Sequence, residues 1–177
     1  MRELLSNSSD ALEKQRFDIQ RGVAKVSSGS DDDLLISITT NSKERTITIF
    51  DSGIGMDREE IINNLGTIAR SGSQAFVKEL EKNDGSITDH GVSDSIIGQF
   101  GVGFYSTFVV SDYVEVYSKK DNEAGVRWVS DGTGSYEISD ADNLDFERGT
   151  KITLKLLPES REFSTDGLVD KTVKKFS

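Results

Sequence analysis

Asp51-Ser52-Gly53-Ile54-Gly55-Met56 directly follows the alternating run Thr46-Ile47-Thr48-Ile49-Phe50. A carboxylate therefore stands where a half-buried strand surfaces. Such a carboxylate can accept two hydrogen bonds, and its strand holds it rigidly. Gly53 and Gly55 carry no Cβ, which lets a planar group lie against the backbone and tolerates positive φ. Ile54 and Met56 add apolar surface, the thioether in an adaptable way. Acceptor, glycines and methionine together suit a purine with an exocyclic amine. The plain alternative is a β-to-α turn with Asp51 as a turn residue, and for the stretch in isolation that reading prevails.

Upstream, Leu4, Leu5, Ala11 and Leu12 recur near helical spacing and predict a helix over 2–17. Glu3, Asn7 and Asp10 lie four and three residues apart, so they share a face of it. That face is either solvated or the wall of a pocket. In a pocket it offers a carboxylate to orient water and an amide oxygen for Mg²⁺, with Asp10 in support. Residues 18–33 read as a polar loop. The β-branched runs 34–40 and 46–50 then form a hairpin around Asn41-Ser42-Lys43-Glu44-Arg45.

Downstream, Asp57-Arg58-Glu59-Glu60 opens a helix as a capping box and the helix runs to Leu65, stopping at Gly66. Residues 66–103 contain a helix over 74–82 and an aperiodic stretch over 84–95, bracketed by glycine clusters. A mobile lid requires such an insert; a polar surface loop is the alternative. The closing cluster, Gly98-Gln99-Phe100-Gly101-Val102-Gly103-Phe104, leads into a helical run over 105–110. Backbone N–H groups there can hold an anion. It is neither a Walker A loop nor a well-placed dinucleotide fingerprint. Strands follow over 113–119, 126–130, 135–138 and 151–157, with an acidic connector over 140–148 and a stop at Pro158. Residues 164–176 show helical spacing. The whole predicts one α+β domain over 1–177, helices layered on one face of a mostly antiparallel sheet.

The 177 residues carry a formal net charge of −10, which argues against a nucleic-acid-binding face. With no cysteine there is no disulfide, zinc–thiolate site or cysteine nucleophile. His90 stands alone in a loop-like setting and cannot build a multi-histidine metal site. No apolar run approaches the roughly 20 residues of a membrane span. A helix that starts at residue 1 without an N-cap suggests a fragment cut within or just before it.

Five motifs occur in order: Arg2-Glu3-Leu4-Leu5-Ser6-Asn7-Ser8-Ser9-Asp10-Ala11-Leu12, the Asp51–Met56 stretch, Asn64-Leu65-Gly66-Thr67-Ile68-Ala69, Ile97 to Ser106, and Gly149-Thr150-Lys151-Ile152. Together they resemble the N-terminal ATP-binding domain of heat-shock protein 90 chaperones over nearly the whole chain. Ala69 to Ser73, Val114 to Ser118 and Trp128 to Gly132 look closest to the mitochondrial, tumour-necrosis-factor-receptor-associated form. A mitochondrial matrix location follows from that likeness, with the cytoplasm as the alternative.

The resemblance implies the Bergerat ATP-binding fold, with ATP or ADP and Mg²⁺ as cofactors. By it Glu3 is the general base toward the attacking water and Asn7 the Mg²⁺ ligand. Asp51 takes the adenine amine, Gly55 and Thr150 help through water, and Met56 packs on the base. Asn64 reaches toward ribose and phosphates, and Asp10, Leu65, Arg70 and Ser71 complete the contacts. Gly98, Gln99, Phe100, Gly101, Val102, Gly103 and Phe104 offer N–H groups to the phosphates beneath a lid over 66–97. Client proteins and co-chaperones are the implied partners, with a homodimer in the full-length protein. Ser8 stands where the family more often has Ala, a change expected to be harmless. The family's first strand and helix, its middle domain with a catalytic arginine, and its C-terminal dimerisation domain lie outside these residues. Slow or absent turnover by this chain alone is the expectation.

Other members of the fold are the competing enzymes. A histidine kinase needs a phospho-accepting histidine, for which His90 is poorly placed, and a gyrase or mismatch-repair ATPase needs a basic face. A purely client-binding domain has no use for the Glu3, Asn7 and Asp51 set.

Overall fold

Alternation of side chains along Thr46–Asp51, Ser111–Lys119, Gly125–Ser130 and Gly149–Leu156 dictates a sheet with one dry face. The computed structural model describes residues 1–23, 34–66, 102–165, 167, 169 and 173. In chain order they form α1 (Arg2–Gln20), β1 (Ile36–Asn41), β2 (Thr46–Asp51), α2 (Arg58–Ile61), α3 (Val102–Tyr105), α4 (Thr107–Val110), β3 (Ser111–Lys119), β4 (Gly125–Ser130), β5 (Tyr136–Ala141) and β6 (Gly149–Leu156). The strands make one six-stranded sheet in the order β1-β2-β6-β3-β4-β5, antiparallel throughout. This is the expected α+β architecture.

Register lines the dry face in rows. Ile49 lies opposite Ile152, Ile152 opposite Val116, Val116 opposite Trp128 and Trp128 opposite Ile138. A second row runs through Ile47, Leu154 and Val114. Leu4 of α1, Ile61 of α2, and Phe104 and Tyr105 of α3 cover these rows. The Trp128 indole is fully buried, with Phe104 edge-on at 6.0 Å and Tyr136 stacked at 6.0 Å. Each such pair adds about 0.5–1.5 kcal/mol beyond area burial.

Local chemistry explains most departures from the sequence reading. α1 runs three residues beyond Phe17, to Gln20. The Asp57 capping box is present in both directions, Glu60 N–H to Asp57 at 2.9 Å and Asp57 N–H to Glu60 at 3.0 Å. After Ile61, however, the helix widens into a π turn over Ile62–Gly66. The helix expected over 105–110 is two short turns interrupted at Ser106. There the hydroxyls of Ser106 and Thr107 bond the carbonyls of Gly103 and Phe104, competing with the helical ladder. β5 continues through Asp140, which pairs in register with Val126, so part of the expected connector is strand. β6 ends at Leu156, and Pro158 opens an unforeseen 3₁₀ turn over Pro158–Ser164. The expected helix over 74–82, the stretch 84–95 and His90 lie outside the described residues, as does most of the segment after 165.

Leu154 sits on β6, hydrogen-bonded on both sides, and is 4% exposed. Leu154→Ala should lower unfolding stability by about 2–5 kcal/mol. In urea the midpoint should fall with the slope unchanged.

Candidate functional site

At one end of the dry face the apolar rows give way to a polar one. Asp51 on β2 lies opposite Thr150 on β6, and Thr150 opposite Ser118 on β3. All three are buried, Asp51 to 4% exposure. The Gly53 N–H donates to Asp51 Oδ1 at 3.1 Å. The Ser8 hydroxyl of α1 and the Thr150 backbone N–H also donate to the carboxylate. Burial dominates nonetheless and pushes its pKa up to about 6 against these three bonds.

The segment from Ser52 to Asp57 is tied down on three sides. Ile54 N–H donates to the Ala11 carbonyl of α1 at 3.2 Å. Arg148, just before β6, donates to the carbonyls of Ser52 at 3.0 Å and Gly53 at 3.1 Å, and faces Asp121 at 3.6 Å. Met56 N–H donates to Ser118 Oγ at 2.8 Å. Beyond it Lys120 bridges Asp57 at 3.0 Å and Glu60 at 2.8 Å. The Glu60 N–H and then Lys120 hold Asp57 below the usual carboxylate range.

The two glycines of the motif also fit the loop to its neighbours. A Cβ on Gly53 would lie 2.6 Å from the Ala11 Cβ, and one on Gly55 would lie 2.1 Å from the Lys119 carbonyl. Where a Cβ would stand, they press on α1 and β3, and so they seat the loop on the protein. Gly55 also has φ +70°, the left-handed conformation foreseen for it. Gly149, at φ +125°, lets β6 approach the Asp51 carbonyl, which a Cβ would meet at 2.0 Å.

The structure gathers part of the expected residue set. Glu3 is half-buried and its side chain lies on α3: a Cβ on Gly103 would stand 2.1 Å from Glu3 Cγ. Asn7 and Asp10 are exposed on α1, free to reach a ligand outside the core. Met56 is half-buried against the core, and the exposed Asn64 amide approaches its sulfur at 3.8 Å. Leu65 is buried, and the Phe104 ring packs on Trp128, while the role expected of Phe104 belongs to its backbone N–H. Arg70, Ser71, Gly98, Gln99, Phe100 and Gly101 lie outside the described residues, and Val102 is described in its backbone alone. Among the described residues no group of three or more His, Cys, Asp or Glu side chains could hold a metal. A cation here would need ligand oxygens in addition to Asn7, as Mg²⁺ beside phosphates does.

Sequence reading missed three residues. Ser8, expected to be inconsequential, is 2% exposed and bonds the central carboxylate. Ser118 follows Val114 and Val116 on the inward positions of β3; a hydroxyl in that register was the available signal. Arg148 in an acidic stretch carried no signal at all.

A family model described as histidine kinase-, DNA gyrase B-, and HSP90-like ATPase matches residues 1–146. The chain is 46% identical over 180 residues to the heat shock protein 75 kDa, mitochondrial, of Bos taurus, covering 100% of this chain and 24% of that protein. It is 43% identical over 180 residues to the chaperone protein HtpG of Halorhodospira halophila, covering 100% and 27% respectively. Against the mitochondrial TNF receptor-associated protein 1 homolog of Dictyostelium discoideum it is 43% identical over 179 residues, covering 100% and 24%. The chain thus spans about a quarter of the length of the curated relatives it matches.

Because the folded pKa of Asp51 lies above its ordinary 3.8, the folded protein binds the extra proton. The stability this group contributes is complete below about 3.8 and is lost as pH rises through about 6. Asp51→Asn removes the buried charge. The variant should therefore melt no lower than the parent at pH about 7.5, with its relative advantage shrinking at pH about 5. Differential scanning calorimetry across that range measures it; a parent that gains on the variant as pH rises would contradict the assignment.

Proposed function

The chain belongs to the heat-shock protein 90 family of ATPases, and we propose on that premise that its polar row seats the adenine of ATP and ADP in an ATP-driven chaperone. The observation that carries the reading is the buried Asp51 carboxylate, presented at the end of β2 and braced by Ser8, Gly53 and Thr150. An ionised carboxylate only accepts hydrogen bonds, so it suits an exocyclic amine. Met56 offers its thioether to the face of the base.

Glu3 lies against Gly103, at the end of the glycine segment proposed to give N–H groups to the phosphates. That adjacency supports a role for the carboxylate beside the γ-phosphate. There Glu3 orients the attacking water and takes its proton as the new P–O bond forms and ADP leaves. Asn7, one turn along α1, holds Mg²⁺ through its amide oxygen. The ion supplies neutralisation of phosphate charge. The exposed Asn64 stands beside Met56, and its proposed reach is to ribose and phosphates.

In the full-length protein this cycle drives closure of a homodimer around client proteins, with co-chaperones as further partners; residues 67–97 of the expected lid lie outside the described residues. The names of the bovine and Dictyostelium relatives support a mitochondrial location. The equally similar bacterial HtpG chaperones support a cytoplasmic one.

Calorimetric titration of ADP with Mg²⁺ tests the seat. The parent should bind, and Asp51→Asn should lose about 1.5–3 kcal/mol, roughly ten- to a hundredfold in Kd. A parent that ignores ADP refutes the reading. In the full-length protein Glu3→Gln should abolish turnover while leaving ADP affinity within about twofold, since the carboxylate acts on water rather than on the base.

A further inference from the structure

Ser118 is fully buried on β3, and its one hydroxyl meets three partners. Met56 N–H can only donate, and does so to Ser118 Oγ at 2.8 Å. The Gly149 carbonyl can only accept, and lies 3.1 Å from the same atom. The third partner, Thr150 Oγ1 at 2.8 Å, could play either part.

A serine hydroxyl carries one proton. If that proton goes to Gly149, Thr150 must donate its own proton to Ser118. Ser118 then accepts twice, donates once, and is satisfied; the Met56 N–H and Gly149 carbonyl are satisfied with it. The reverse arrangement withdraws the hydroxyl from a buried carbonyl. Thr150 Oγ1 is therefore left with lone pairs alone. Its neighbour across the strand pair, Asp51, is likewise acceptor-only when ionised.

We infer that Ser118 is a positioning residue that sets base specificity: by holding the Thr150 proton away from the seat it makes that end of the sheet acceptor-only, selecting 6-aminopurine over 6-oxopurine nucleotides. This rests on the adenine-seat reading above. It adds that discrimination does not belong to Asp51 alone. A 6-oxo group that meets Thr150 directly brings an acceptor to a wall of acceptors. Once Ser118 is removed, the Thr150 hydroxyl is free to turn and donate to that oxygen.

The test is calorimetric titration of ADP and of IDP, each with Mg²⁺, into the parent, Ser118→Ala and Ser118→Thr. The parent should prefer ADP. Ser118→Ala should lower the ADP-to-IDP affinity ratio on the order of tenfold, about the value of one buried hydrogen bond. Ser118→Thr keeps the hydroxyl and should restore the ratio. A merely structural role would weaken both nucleotides equally, so a ratio unchanged in Ser118→Ala overturns the inference. Should Ser118→Ala fail to fold, Thr150→Val removes the acceptor itself; an unchanged ratio in that variant overturns the inference equally. A parent that binds neither nucleotide refutes the adenine seat instead, which keeps the two failures apart.

Discussion

Everything at the mouth of this sheet depends on keeping one carboxylate out of water. Asp51 is buried deeply enough for desolvation to push its pKa up to about 6, although three donors oppose the shift. A lone buried carboxylate would simply take up a proton. The donors that keep it usable near neutral pH come from three places: α1 through Ser8, the following loop through Gly53, and β6 through Thr150. None of these elements can shift without disturbing the charge. The proposed purine seat is thus a property of the packed sheet and helix, and the motif is one of its contributors.

The sheet acts as a ruler for that site. Antiparallel register puts Asp51, Thr150 and Ser118 in one line on three adjacent strands, at the spacing that cross-strand pairing enforces. Two rows of apolar side chains beneath that line anchor the same strands in the core. α1 works in both layers: Leu4 fills the core, Ser8 braces the carboxylate, Ala11 receives the loop, and Glu3 lies on α3. Core packing and site geometry consequently share residues on one helix. Loosening α1 would disturb both together.

The loop between β2 and α2 shows how a segment without regular structure is made rigid. Arg148 grips two of its carbonyls with one guanidinium, a planar fork suited to such multiple bonds. Ser118 holds the Met56 N–H, and Lys120 pins the capping box that follows. The shared fold hosts kinases, gyrases and chaperones alike, as the description of the matching family states. Fold does not choose between such activities; hydrogen-bonding groups placed in the site do.

Local patterns in the sequence determined a large part of this protein. Period-two alternation announced the strands β2, β3, β4 and β6, and helical spacing announced α1. Asp57 and Glu60 wrote the capping box, and the order of motifs named the family. These signals are legible because each depends on residues a few positions apart. Tertiary structure alone decided which groups tens of positions apart would face each other. It pressed Gly53 and Gly55 against α1 and β3. It made an apparently harmless Ser8 a donor to Asp51, and set Arg148, 96 positions from Ser52, as the clamp on the loop. Burial and cross-strand register create those relations, and neither exists until the chain has packed.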